Sequence, residues 1–177
     1  MITIISKKLA SYDFSSVQFD MPKTLAQKIQ NWGKKNILDS DLYTEEEKYG
    51  REDKIHVTVK YGLHTTDVRK IEDIVNGFGS FAISLGNVSR FVPPDKEYDV
   101  VKVEVDSEEL SELHRMLGEL SNSDEHPVYR AHCTVSYIKK GCCSDLSGNS
   151  DLKGETAEVN CLTFSPKDDS SMIKISL

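Results

Sequence analysis

Histidine and threonine two residues apart recur at matching places in the two halves of this chain. The copies are His56-Val57-Thr58-Val59-Lys60-Tyr61 and His132-Cys133-Thr134-Val135-Ser136-Tyr137, identical at four of six positions. Along a strand, residues i and i+2 point to one face. Each His and its Thr therefore project together, while Val57, Val59, Cys133 and Val135 turn toward a core. Two such strands sharing a cleft would present two imidazoles and two hydroxyls, a set suited to phosphodiester cleavage. One imidazole takes the proton of the attacking hydroxyl or water and the other protonates the leaving oxygen, each role being worth about 10²–10⁴ in rate. The hydroxyls can donate to the non-bridging oxygens and hold the phosphorus between the rings. His56, Thr58, His132 and Thr134 are the predicted catalytic set. No metal is needed, and a zinc hydrolase would want a third ligand at metal spacing.

A third match, His64-Thr65-Thr66, falls at an expected helix start, where Thr66 reads as an N-cap. Treating the two strand histidines as merely satisfied polar groups would require one coincidence twice. Around them, Lys60 at i+4 from His56 is expected on the same face. Arg130 and Lys54 stand at i−2 from their histidines, and all three could face a phosphate. Tyr61 and Tyr137, at i+5, fall on the opposite face and read as core. A nucleobase would want an aromatic platform, for which Tyr12 and Phe164 are candidates, and Glu158 could bond a base edge or sugar. His114 reads as a surface residue of a helix.

The elements that must position these groups follow from periodicity. Phe14–Asp20 alternates as a strand. Pro22 then opens a helix whose Leu25, Ile29 and Trp32 share a face, weakened toward its end by Gly33. Residues 38–53 are charged and aperiodic, a surface loop that could act as a lid. Ile55–Tyr61 is a strand, and a helix over Val68, Ile71 and Val75 follows. Phe81–Phe91 reads as a strand or a hairpin about Gly86-Asn87. Val101, Val103 and Val105 mark another strand. Asp106 and Glu109 have capping-box spacing ahead of a helix lined by Leu110, Leu113 and Leu117. His132–Ile138 is a strand, residues 140–154 a loop, and two strands near 156–164 and 171–176 end the chain. Strand, helix and motif strand thus occur twice, over about 14–61 and 99–138. The expected fold is α+β: two pseudo-symmetric lobes in one domain over 1–177, each an antiparallel sheet with helices outside, and a central cleft carrying one motif per lobe.

With 38% hydrophobic and 29% charged residues, the chain reads as an ordinary globular protein. It lacks an apolar run of bilayer length. Its apolar first residues precede Lys7 and Lys8, the reverse of a signal peptide, so a cytoplasmic location is expected. The four cysteines form no CxxC pair and are expected reduced. A net charge of −7 disfavours long duplex or long RNA and favours a nucleotide or short oligonucleotide.

The paired motif resembles the 2H phosphoesterase superfamily, whose hallmark is two His-x-Thr/Ser motifs flanked by apolar residues. The resemblance runs through the doubled organisation of nearly the whole chain. Segment Tyr12–Pro22 and Val59-Lys60-Tyr61-Gly62 look more like phage and bacterial members. It implies His56, Thr58, His132 and Thr134 as catalytic residues and no metal cofactor. Among the activities it implies are RNA 2′,3′-cyclic phosphodiesterase of the LigT-like 2′-5′ RNA ligase type and anti-CBASS destruction of cyclic oligonucleotide messengers. In the latter group the late strands lie near the ligand, which favours Phe164. A nucleotide-binding module without turnover is the third alternative, disfavoured by two intact titratable pairs. Base preference, linkage, oligomeric state and the acid–base order of the histidines stay open.

Overall fold

The computed structural model describes residues 13–124, 128–167 and 171–177, together with the backbone of residues 2–6. Alternating apolar side chains make strands and 3.6-residue stripes make helices, in the order β1 (Ile2–Ser6), β2 (Ser15–Asp20), α1 (Lys23–Asn36), β3 (His56–Leu63), α2 (Val68–Val75), β4 (Phe81–Phe91), β5 (Tyr98–Asp106), α3 (Glu108–Leu117), β6 (His132–Lys139), β7 (Thr156–Val159), β8 (Cys161–Ser165) and β9 (Met172–Ser176). The strands form one antiparallel sheet in the order β1-β9-β8-β2-β3-β6-β5-β4-β7. Instead of two separate sheets there is one, whose halves join edge to edge where β3 meets β6; β8 and β9 lie with β2 and β3, and β4 and β7 with β5 and β6. None of the described helices is long and apolar enough to cross a membrane.

The halves are interlocked through their helices. α1, which follows β2, packs beneath β6, while α3, which follows β5, packs beneath β3. Each motif strand thus rests on the other half's helix. Val57, Val59, Cys133 and Val135 are buried there with Leu25, Ile29, Leu110 and Leu113. Gly33 does not end α1, which runs to Asn36. Its role is close approach: a Cβ at Gly33 would lie 2.7 Å from Val135 Cγ1. Arg51 donates to the carbonyls of Gly33 and Ile37, satisfying the end of that helix.

Several local expectations need correction. Asp67, not Thr66, caps α2, its carboxylate accepting from the Arg69 N–H at 3.1 Å. Ser107, not Asp106, caps α3, accepting from Leu110 N–H at 3.1 Å. Gly86-Asn87 is not a hairpin turn. β4 runs straight through it as a bulge, with Leu85 opposite Val105 and Val88 opposite Val103. The stretch near 156–164 is two strands at distant places in the sheet: β7 pairs β4, whereas β8 lies between β9 and β2. Residues 38–53 form a strap pinned along β6 rather than a lid. Tyr43 N–H bonds the Tyr137 carbonyl, Tyr137 N–H the Gly50 carbonyl, and Glu52 N–H the Val135 carbonyl, at 3.1, 2.7 and 3.0 Å.

Candidate active site

β3 and β6 meet at Val57 opposite Cys133. In an antiparallel pair, stepping one residue each way sets His56 across from Thr134 and Thr58 across from His132. The register therefore turns the two motifs toward one another across the junction of the halves. Both rings are oriented alike. His56 Nδ1 lies 2.7 Å from the Lys54 carbonyl, and His132 Nδ1 lies 2.7 Å from the Arg130 carbonyl. A carbonyl can only accept, so Nδ1 carries the hydrogen in both and Nε2 is the nitrogen available for proton transfer.

Burial pushes the His132 pKa below that of an ordinary imidazole, which favours the neutral ring. The Arg130 carbonyl pulls the other way, the Lys102 ammonium depresses the pKa further, Glu104 opposes it, and His56 is near enough to lower it too.

A cleft of about 550 Å³ opens beside His132, and His56 stands next to it rather than in its lining, a volume within the range of small-molecule sites. Thr58, His132 and Thr134 line it, with Tyr61, Phe91, Tyr98 and Tyr137 as aromatic walls and Lys96, Lys102 and Arg130 as cations. Tyr98 and Tyr137 belong to a cluster with Tyr43 and Tyr49, ring centroids 4.8–5.4 Å apart. Burial first, then a hydrogen bond with Tyr49, pushes the Tyr98 hydroxyl up to about 12.

Each motif carries one extra residue after its Thr. On β3, Gln18 faces Thr58 and Val17 faces Lys60. On β6, Lys102 faces Thr134 and Val101 faces Ser136. Such a bulge reverses the alternation downstream. Tyr61 and Tyr137, expected in the core, consequently turn into the cleft, and Tyr61 is 44% exposed. The same reversal removes Lys60 from the catalytic face. It is buried, and its Nζ lies 2.8 Å from Asp124 Oδ2. Lys60 is a structural cation here, not a phosphate ligand.

Of the remaining expected ligand contacts, Arg130 reaches the cleft while Lys54 is exposed and contributes its carbonyl to His56. Phe164 is wholly buried on β8, opposite Val17 and Ile173, and cannot meet a ligand. Glu158 is exposed on the edge strand β7, three strands from β6. Tyr12 lies outside the described residues. Lys102 is a site residue that sequence reasoning missed. It alternates with Val101 and Val103, so its strand face was legible, but its neighbour Thr134 was not. His114, expected on the surface, is half-buried, stacked on Tyr129 at 4.2 Å, and lines the cleft. Among the described residues, His, Cys, Asp and Glu form no cluster of three able to hold a metal ion.

A family profile for anti-CBASS protein Acb1 matches residues 16–158. The fold is similar to solved structures that are distant in sequence. Kluyveromyces marxianus Usb1 shows 12% identity and a TM-score of 0.61 over 94% of this chain and 99% of its own. TT0787 of Thermus thermophilus shows 11% and 0.58 over 93% and 97%. Escherichia coli LigT complexed with 3′-AMP shows 14% and 0.57 over 95% and 99%. No curated protein sequence matches the chain significantly.

Proposed function

This chain belongs to the anti-CBASS Acb1 family, a family of 2H phosphoesterases, and from that premise we propose that it opens cyclic oligonucleotide messengers by acid–base catalysis between His132 and His56. The observation that carries this reading is the matched tautomer of the two rings, each with Nδ1–H tied to a carbonyl and Nε2 left for the phosphodiester.

His132 acts as the base, because burial and Lys102 favour its neutral form. Its Nε2 takes the proton of the attacking hydroxyl as the new phosphorus–oxygen bond forms. His56 donates the Nε2 proton of its imidazolium to the leaving oxygen as the old bond breaks. Thr58 and Thr134 donate hydrogen bonds to the non-bridging oxygens, and Lys102 and Arg130 balance the charge gathering there. Tyr61, Phe91, Tyr98 and Tyr137 supply flat apolar walls on which nucleobases can stack. The 3′-AMP complex of LigT and the uridine monophosphate complex of Usb1 support a nucleotide ligand for this fold. They also keep an RNA end with a 2′,3′-cyclic phosphate as the second reading. A cleft with only a few cations, in a chain of net charge −7, favours the small cyclic ligand.

The test is turnover in EDTA of cyclic di- and trinucleotides set beside RNA ending in a cyclic phosphate. Opening of the cyclic oligonucleotides is expected. Cleavage confined to RNA ends would select the second reading, stoichiometric binding without product would make the protein a binding module, and activity lost in EDTA would refute the metal-free scheme.

A further inference from the structure

β3 and β6 share a single residue pair in register, Val57 with Cys133. One pair fixes little about how far apart the flanking side chains stand. Another contact joins the same two segments. Tyr129, three residues before His132, donates its hydroxyl to the Thr58 carbonyl at 2.9 Å. That carbonyl lies two residues after His56, so one side chain spans the approach to one catalytic strand and the catalytic Thr of the other. The next carbonyl, Val59 at the bulge, accepts from His114 Nδ1 at 2.7 Å. The two donors are themselves packed face to face, ring centroids 4.2 Å apart and planes 14° from parallel.

We propose that Tyr129 and His114 act as a positioning pair, a stacked brace that holds the Thr58–Val59 bulge against the chain leading into β6 and so sets the separation of the two catalytic imidazoles. This rests on the acid–base reading above. Neither residue need touch the phosphorus. Several features fit a brace better than a packing role. A bulge leaves carbonyls out of the sheet ladder, and here both are taken by side chains from the second half of the chain. Burial lowers the His114 pKa and raises that of Tyr129, so both stay neutral. Near His114 stand Asp124, 3.7 Å from Nε2, and the Lys60 ammonium. They form an ion pair with each other, which limits the net field on the ring.

Three variants test the brace: Tyr129→Phe, His114→Ala and His114→Asn. Phenylalanine keeps the stack and loses the hydroxyl. Asparagine places an amide donor near the position of Nδ1. With cyclic dinucleotide substrate, Tyr129→Phe and His114→Ala are expected to lower kcat by about 10- to 10²-fold with KM little changed, as misplacement of reacting groups does. His114→Asn should recover most of that loss. Equal kcat in all three, or a loss in His114→Ala that asparagine does not recover, overturns the proposal. Histidine-selective NMR gives a readout that needs no turnover. Tyr129→Phe should change the titration of His132, which the neighbouring His56 helps to set, and an unaltered His132 titration also overturns the brace. Wild-type protein without phosphodiesterase activity would instead sink the functional reading, leaving the NMR comparison to judge the brace by itself.

Discussion

The two motif strands reach one geometry by different means. β3 and β6 share the Nδ1–carbonyl bond, the Thr beside it, the bulge after the Thr and the Tyr that the bulge turns inward. Their supports do not match. β6 is held by main chain: the strap over 42–52 bonds the carbonyls of Val135 and Tyr137 and the N–H of Tyr137. β3 has main-chain partners too, along β2 and the 121–124 loop, but it draws on side chains besides. His114 and Tyr129 bond its carbonyls, and the Lys60–Asp124 pair sits beneath it. Gly62 has φ +84°, and a Cβ there would lie 2.9 Å from the Ser123 carbonyl carbon. The 121–124 loop thus docks directly on β3, through Ser123 N–H to the Gly62 carbonyl and His64 N–H to the Ser121 carbonyl. On the proposed acid–base reading, symmetry constrains the face carrying the two His-x-Thr pairs and leaves the supporting face free to differ. β3 should be sensitive to single side chains, and β6 tolerant of them.

The largest expected effect tests the symmetric part. His56→Ala and His132→Ala should each lower turnover by about 10²–10⁴ while folding survives. Steady-state rates with matched circular dichroism spectra check this. If one variant kept near-normal activity, the two strands would not be equivalent partners.

The next effect tests the asymmetric part. Asp124→Ala leaves the Lys60 ammonium buried without its carboxylate, with both side chains about a tenth exposed or less. Breaking such a pair costs about 3–5 kcal/mol. Glu52→Ala, on the strap, should change stability by less than about 0.5 kcal/mol, because Glu52 holds β6 through its main-chain N–H. Urea unfolding midpoints compare the two, and similar losses would erase the contrast between side-chain and main-chain support.

What the sequence disclosed follows the same division. The duplicated His-x-Thr and the strand–helix–strand order were legible, because both depend on local periodicity and a motif repeated in both halves. The bulges were not. Inserting one residue is a property of the pairing, since only the partner strand shows that Val17 meets Lys60 after Gln18 has met Thr58. That slip moved Lys60 out of the site and Tyr61 and Tyr137 into it, although the Tyr shared by both hexapeptides hinted that it was more than core. Residues whose role rests on distant partners were also out of reach: Lys60 meets Asp124 64 positions on, and Tyr129 meets Thr58 across 71. Phe164 shows the limit of composition. An aromatic on a late strand says nothing of which face it takes, and β8 is an interior strand with Leu162, Thr163 and Phe164 all buried.

The smallest expected effect is on the pH dependence of stability, and it separates one ring on each strand's support. His132 on β6 and His114 beneath β3 both have pKa values lowered chiefly by burial. In the unfolded chain each titrates near the ordinary value of about 6.5. As pH falls below that point, the unfolded state takes up protons that the folded state still refuses. Stability is therefore full above about pH 6.5 and declines as the pH drops toward the lowered folded-state values, where the slope ends. Urea midpoints between about pH 7.5 and 5, above the ordinary carboxylate range near 4, isolate these two rings from Asp and Glu. His132→Asn and His114→Asn should each flatten part of the decline. A decline left unchanged by His132→Asn would mean that the folded protein does not disfavour the charged His132 ring, and the reason for making His132 the base would fall.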